Sequence, residues 1–148
     1  MSKENIPLDK QGKYTFQEFT EIIAALRAPD GCPWDRQQTF ETMKKYLENE
    51  TREVFQAVDS HDPDNLCEEL GDVLLEVLLY SQIAKDQDLF DISDVIDTIS
   101  RKMIRRHPHV FAGVSVSSEE EQKAMWEAIK KQEKQEKNRK KAGNPTKP

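Results

Sequence analysis

Apolar residues recur at spacings of three and four along most of this chain, the period of helices that bury one face. Phe16, Phe19, Ile22, Ile23 and Leu26 mark a first helix. Thr15 and Glu18 open it in a capping-box pattern, and Ala28-Pro29-Asp30-Gly31 is a turn signal that closes it. A compact loop, Gly31-Cys32-Pro33-Trp34-Asp35, follows. A second helix is predicted over residues 39–60, with Phe40, Met43, Leu47, Glu50, Val54 and Ala57 along its seam. Glu50 thus holds a position where an apolar side chain belongs. His61-Asp62-Pro63-Asp64 breaks this helix.

A third helix is predicted over residues 65–85, with Asn65 as its cap. Leu66, Leu70, Val73, Leu74, Val77, Leu78 and Ile83 give it a broad apolar face, so it is expected to be central. A fourth helix is predicted over residues 93–106, with Val95, Ile96, Ile99 and Met103 inward. It ends at His107-Pro108-His109, because a residue before proline leaves the α region. Ser118 and Glu121 cap a last helix carrying Met125, Trp126 and Ile129, which then dissolves into Lys/Glu repeats. No stretch sustains the period-two alternation of a strand, and no internal repeat stands out. The pattern predicts an all-α fold, a bundle of about four helices plus a C-terminal one. Residues 1–13 are expected to be disordered, 14–130 to form the domain, and 131–148 to form a charged helix end and disordered tail.

Composition narrows the function. The chain has 148 residues, enough for one core and not for two. Residues 130–148 carry eight Lys or Arg and two Glu, so of the net −6 the remainder holds −12. Such an acidic body repels phosphates and argues against general nucleic-acid binding. The basic end reads more simply as a solvated helix end than as a nucleic-acid contact. No run of about 18 apolar residues offers a membrane span. The first residues lack the apolar core of a signal peptide. Cys32 and Cys67 have no partner at zinc spacing and read as reduced thiols of a cytoplasmic protein.

The chemistry lies in acid pairs. Residues three apart on a helix share a face, so Glu50 and Glu53 point together from the second helix, and Glu69 and Asp72 from the third. A short break between the helices makes them antiparallel neighbours, so the four carboxylates converge. Like charges that close raise one another's pKa, and a hard divalent cation relieves the conflict; all-oxygen donors suit Mg²⁺ or Mn²⁺. Acid pairs at this spacing also occur on solvated helix faces, but the seam position of Glu50 is poorly explained that way. Glu68 lies towards the polar side. Glu76 continues the face of Glu69 and Asp72 and is a further metal-linked candidate. No histidine stands in these two helices, which disfavours a ferritin-type carboxylate oxidase.

Glu50-Thr51-Arg52-Glu53 followed by Glu69-Leu70-Gly71-Asp72 resembles the ExxE…ExxD signature of the all-α nucleotide pyrophosphohydrolases, the MazG family above all. Leu26-Arg27-Ala28-Pro29-Asp30-Gly31-Cys32-Pro33-Trp34-Asp35 and Arg105-Arg106-His107-Pro108-His109-Val110-Phe111 agree with that family, and the likeness covers about residues 16–130. The resemblance implies Mg²⁺-dependent hydrolysis of a nucleoside triphosphate to the monophosphate and pyrophosphate. It implies that Glu50, Glu53, Glu69 and Asp72 hold the metal, and that the chain forms a homodimer or homotetramer. Tyr46, Leu47, Asn49, Asn65 and Glu68 flank the ligands and are nucleotide contacts by resemblance. Lys102 and Arg106, at i,i+4, match phosphate-binding positions of the family, although basic residues near a helix C-terminus are also favoured by its dipole.

A carboxylate must orient the attacking water, Glu53 first and Glu50 second. Trp126 and Lys130 share a face too; Trp126 either stacks on the base or packs in the core, and Lys130 can add a phosphate contact. Trp34 reads as a structural anchor rather than a base platform. His107 and His109 read as structural or phosphate-facing rather than as metal ligands. One departure stands out: the family usually has two adjacent Glu at the start of the first motif, and here the first is Asn49. An amide keeps an acceptor but cannot act as a base. The alternative reading is therefore a nucleotide- and metal-binding module of weak turnover. A third, a helical interaction protein with surface acid pairs, predicts no thermal response to divalent metal.

Overall fold

Thr15 Oγ1 accepts the Glu18 N–H at 3.2 Å while Glu18 Oε2 accepts the Thr15 N–H at 2.7 Å. This reciprocal cap opens α1, Phe16–Arg27, where the sequence places it. The computed structural model describes residues 6–143, and every regular element among them is helical. After α1 come α2 (Pro33–Arg36), α3 (Phe40–Asp59), α4 (Pro63–Asp86), α5 (Ile92–Arg106), α6 (Pro108–Phe111) and α7 (Glu119–Ala142). The chain divides into two units, one ending at Val95 and the other beginning at Ile96.

In the first unit α3 and α4 form the main helical pair, and α1 packs on α4. Ile23 from α1, Met43 from α3, and Leu78, Leu79 and Ile83 from α4 make the buried core. Tyr80 stacks on Phe40 with ring centroids 6.1 Å apart, and its hydroxyl donates to the Phe40 carbonyl at 3.1 Å. Arg27 ties the end of α1 to α4 through Asp86 Oδ2 at 2.8 Å, and to the following turn through the carbonyls of Asp35 and Gln38.

Several expectations are corrected here. The segment read as a loop holds a helical turn, α2, because Pro33 at N1 presets the first φ. Asn65 is not the cap of α4. Asp62 is, accepting the N–H groups of Asp64 and Asn65 at 3.1 Å, with Pro63 at N1. The proline read as a breaker therefore starts the helix. The apolar face of α4 is only partly buried: Leu70 is 52% and Leu74 38% exposed. Ile96, Ile99 and Met103, expected inward, are also exposed. Pro108 begins another short helix, α6, rather than only ending α5. Nor does the last helix dissolve near residue 130; α7 continues to Ala142.

Of the N-terminal segment, residues 1–5 lie outside the described part. Lys10 Nζ pairs with the Glu18 carboxylate at 2.6 Å, and the Tyr14 hydroxyl donates to the Pro7 carbonyl at 2.6 Å. Residues 144–148 of the expected tail also lie outside it. In the second unit Glu133 of α7 accepts from Arg105 Nε at 2.6 Å and Arg106 Nη2 at 3.0 Å. No helix among the described residues is long and apolar enough to cross a membrane.

Candidate metal centre

The linker between α3 and α4 is only residues 60–62, so the two helices return alongside each other and bring their acid pairs to one place. Glu50, Glu69 and Asp72 each offer a carboxylate oxygen, and these three oxygens lie within 4.8 Å of one another. Two helices are thus needed to build the group, which is what the paired spacing predicts. Glu53 stands outside the trio, yet its charge and hydrogen-bonding reach act on both Glu50 and Glu69. Its Oε1 accepts from Asn49 Nδ2 at 3.1 Å.

The electrostatics are those of an uncompensated cluster. Burial, then the charges of Glu53 and Asp72, push the Glu50 carboxyl above the usual carboxylate range. Burial, then Glu53, Asp72 and Glu68, do the same to Glu69. Glu76, one turn beyond Asp72, is pushed up to about 7 by burial first and then by Glu50 and Asp72. Carboxylates and one amide act on these three groups; no Lys or Arg is among them. Glu69 Oε2 and Glu76 Oε2 are buried without a hydrogen-bond partner. A buried acceptor left unmade costs about 1–3 kcal/mol. Oxygen-only donors, mutual repulsion and unsatisfied lone pairs fit a hard divalent cation.

The flanking residues have less uniform settings. Tyr46 packs against the core, lies edge-on to Trp34 at 5.5 Å, and has Lys45 Nζ 4.9 Å from its ring centroid. Leu47 is half-buried, and its carbonyl accepts the Thr51 hydroxyl at 2.7 Å. Asn65 is half-buried and donates its backbone N–H to the Asp62 cap. Glu68 is exposed beside Glu69.

Lys102, Arg106, Trp126 and Lys130 belong to the second unit. There Arg106 is bound by Glu133, while its Nε is buried without a partner. Trp126 is 40% exposed, not in a core; its ring centre is 6.3 Å from that of His107 and 5.6 Å from Lys130 Nζ. Lys130 also pairs with Glu127 at 2.7 Å. His109 Nδ1 is buried without a partner. Sequence reasoning did not find Glu133. It is one of several Glu interspersed with Lys along α7, a pattern that reads as solvated.

An antiparallel helical pair that gathers carboxylates into one oxygen cluster defines an all-α protein with a cation-type site. The comparison with known families is specific. The MazG nucleotide pyrophosphohydrolase domain matches residues 38–111, half of the chain and all four acid-pair residues. This chain belongs to the MazG family. It is 46% identical over 125 residues to the nucleoside triphosphate pyrophosphohydrolase/pyrophosphatase MazG of Thermotoga maritima, covering 84% of this chain and 48% of that one. It is 51% identical over 132 residues to the uncharacterised protein YabN of Bacillus subtilis, covering 87% and 27%. A solved mazG-related protein from Thermotoga maritima superimposes with a TM-score of 0.66 at 33% identity, covering 78% of this chain and 98% of that one. The chain spans about half or less of the length of these two curated relatives.

Proposed function

We propose that this chain hydrolyses nucleoside triphosphates to nucleoside monophosphate and pyrophosphate, using Mg²⁺ or Mn²⁺ held by Glu50, Glu69 and Asp72 with Glu53. The observation that carries the reading is the trio of carboxylate oxygens within 4.8 Å, drawn from two helices, with burial and neighbouring carboxylates raising Glu50 and Glu69. These carboxylates would hold a divalent ion, which would supply the positive charge an acidic pocket lacks for a triphosphate and would make an attacking water more acidic. Glu53, outside the trio and steadied by Asn49, is the carboxylate left to orient that water and take its proton; Glu50 is second. Tyr46, Leu47, Asn49, Asn65 and Glu68 border the nucleotide. By resemblance to the family, Lys102, Arg106 and Lys130 are proposed for phosphate and Trp126 for the base.

Phe55, Val58, Leu70 and Leu74, all exposed on α3 and α4, support a homodimer or homotetramer in which a second copy covers them. The unpaired cysteines fit a reducing cytoplasm. The net charge of −6 supports the absence of stable nucleic-acid binding.

Asn49 favours a second reading, a binding module that keeps nucleotide and metal but turns over weakly. One screen separates the two. Pyrophosphate and phosphate release are measured over a panel of NTPs and dNTPs with Mg²⁺ or Mn²⁺. Pyrophosphate release that Glu69→Gln and Asp72→Asn abolish is the expected result. No release from any substrate overturns the hydrolase; tight calorimetric binding without release then favours the module.

A further inference from the structure

Glu76 is the least exposed acidic side chain among the described residues, at 5%, and its Oε2 has no hydrogen-bond partner. Nothing in its packing asks for a carboxylate. It lies on α4 between Val73, Leu79 and Tyr80 in sequence, where Leu or Met would fill the same volume without a desolvated charge. Its register explains the choice. Glu69, Asp72 and Glu76 follow at i, i+3 and i+7, one stripe of α4 that runs from the solvent side into the interior. The charges that act on Glu76 are those of Glu50 and Asp72, one from each helix of the pair, so it faces the acidic cluster from beneath. Its oxygens are not among the three that lie within 4.8 Å of one another, which sets it one step back from the cluster.

We propose that Glu76 is a positioning residue of the cation site, its free Oε2 accepting a hydrogen bond from a water in the hydration sphere of the ion held by Glu50, Glu69 and Asp72. The inference rests on the divalent-cation reading above. Mg²⁺ and Mn²⁺ sites keep several waters, and each needs an acceptor in a defined direction. A buried oxygen one turn below the ligands supplies one and loses its own deficit at the same time. The raised proton affinity of Glu76 agrees with a carboxylate lacking its counter-charge.

The test is Mn²⁺ binding, read by calorimetry and by loss of the free-ion electron paramagnetic resonance signal, on the full chain. Glu76→Met keeps the volume and removes the acceptor; Glu76→Gln keeps an acceptor and removes the charge. Asp72→Asn is the reference for a lost ligand. We expect metal-free melting temperatures at or above that of the unsubstituted chain for both Glu76 variants. We expect Mn²⁺ affinity to fall about tenfold or more in Glu76→Met, and at least threefold in Glu76→Gln. If Glu76→Met fails to fold, the Glu76→Gln result decides. Affinities within twofold of the unsubstituted chain, while Asp72→Asn loses binding, would overturn the role of Glu76 and leave the cation site standing. No Mn²⁺ binding by the unsubstituted chain, or unchanged binding by Asp72→Asn, would overturn both.

Discussion

Asn49 Nδ2 donates to Glu53 Oε1 at 3.1 Å, one turn apart on α3. The residue that departs from the family pattern is therefore bonded to the carboxylate proposed as the base. Asn49→Ala removes the restraint, and a hydrogen bond to a charged group of about 1–2 kcal/mol corresponds to roughly a 5- to 30-fold loss in kcat. Steady-state kinetics checks it, with KM expected to change less than twofold. Asn49→Glu adds a carboxylate to an already repulsive cluster. It should lower the metal-free melting temperature and tighten Mn²⁺ binding. An unchanged kcat in Asn49→Ala would remove Asn49 from the positioning of Glu53.

The pH dependence of the metal-free protein follows from Glu76. Its folded-state carboxyl is raised from 4.5 to about 7, so the folded chain holds a proton that the unfolded chain has released in that window. Stability is fully present below about pH 4.5 and is lost as pH rises through about 7. The loss is up to about 3 kcal/mol from this group, and Glu50 and Glu69 shift in the same direction. Glu18, Glu121 and Glu133 are lowered, so their contributions change only at more acid pH. Urea midpoints in EDTA at pH 5 and 8 should fall with pH, and Glu76→Gln should flatten the difference. The Mn²⁺-induced rise in melting temperature should be larger at pH 8 than at pH 5, because protons and cation compete for the same oxygens. Equal pH slopes for the unsubstituted chain and Glu76→Gln would contradict the assignment.

What could be read from sequence follows from which interactions are local. The starts of α1 and α7 were legible because Thr15–Glu18 and Ser118–Glu121 lie within one turn. The approach of Glu50, Glu69 and Asp72 was legible because i,i+3 spacing and a short link bring two helix faces together. That Glu53 stands outside the three was not, because spacing fixes a face and not where each carboxylate ends. The Asp62 cap was missed because Pro63 was read as a breaker, whereas at N1 its missing N–H costs nothing. Leu70, Leu74, Ile96 and Ile99 were read as core because periodicity marks an apolar face without saying what covers it. The Arg106–Glu133 pair spans 27 residues, and no local pattern announces it.

That pair separates two roles for Arg106. The Glu133 and Arg106 side chains are 14% and 16% exposed, so the contact is partly withdrawn from water. Arg106→Ala should cost about 0.5–1.5 kcal/mol of stability, because Glu133 keeps its bond from Arg105 Nε, in addition to any loss of substrate binding. Lys102→Ala should raise KM several-fold with the melting temperature within about 2 °C of the unsubstituted chain. Differential scanning calorimetry and kinetics on both variants check this. A stable Arg106→Ala variant would show that the Arg106–Glu133 contact adds nothing beyond the Arg105–Glu133 pair. An unchanged KM in both would remove these cations from the phosphate site.

Gly31 and Gly71 predict opposite outcomes for the same substitution. A Cβ on Gly31 would collide with the backbone carbonyl oxygens of Ala25 and Leu26, where the chain folds back over the end of α1. The turn is closed by Gly31 N–H to the Ala28 carbonyl and Cys32 N–H to the Leu26 carbonyl, both 2.8 Å, so backbone on both sides resists displacement. From this turn hangs α2, whose Trp34 meets Tyr46 edge-on at 5.5 Å. Gly31→Ala should therefore cost about 2–3 kcal/mol, as overpacking does. It should also raise KM more than it lowers kcat, by moving Trp34 against a proposed nucleotide contact. At Gly71, inside α4, a Cβ meets nothing within 4 Å. Gly71→Ala should stabilise the chain by about 0.5–1 kcal/mol through helix propensity. Urea unfolding of the two variants in EDTA measures both signs at once. A Gly31→Ala variant within 0.5 kcal/mol of the unsubstituted chain would mean that the turn yields, and the close approach would no longer explain the glycine.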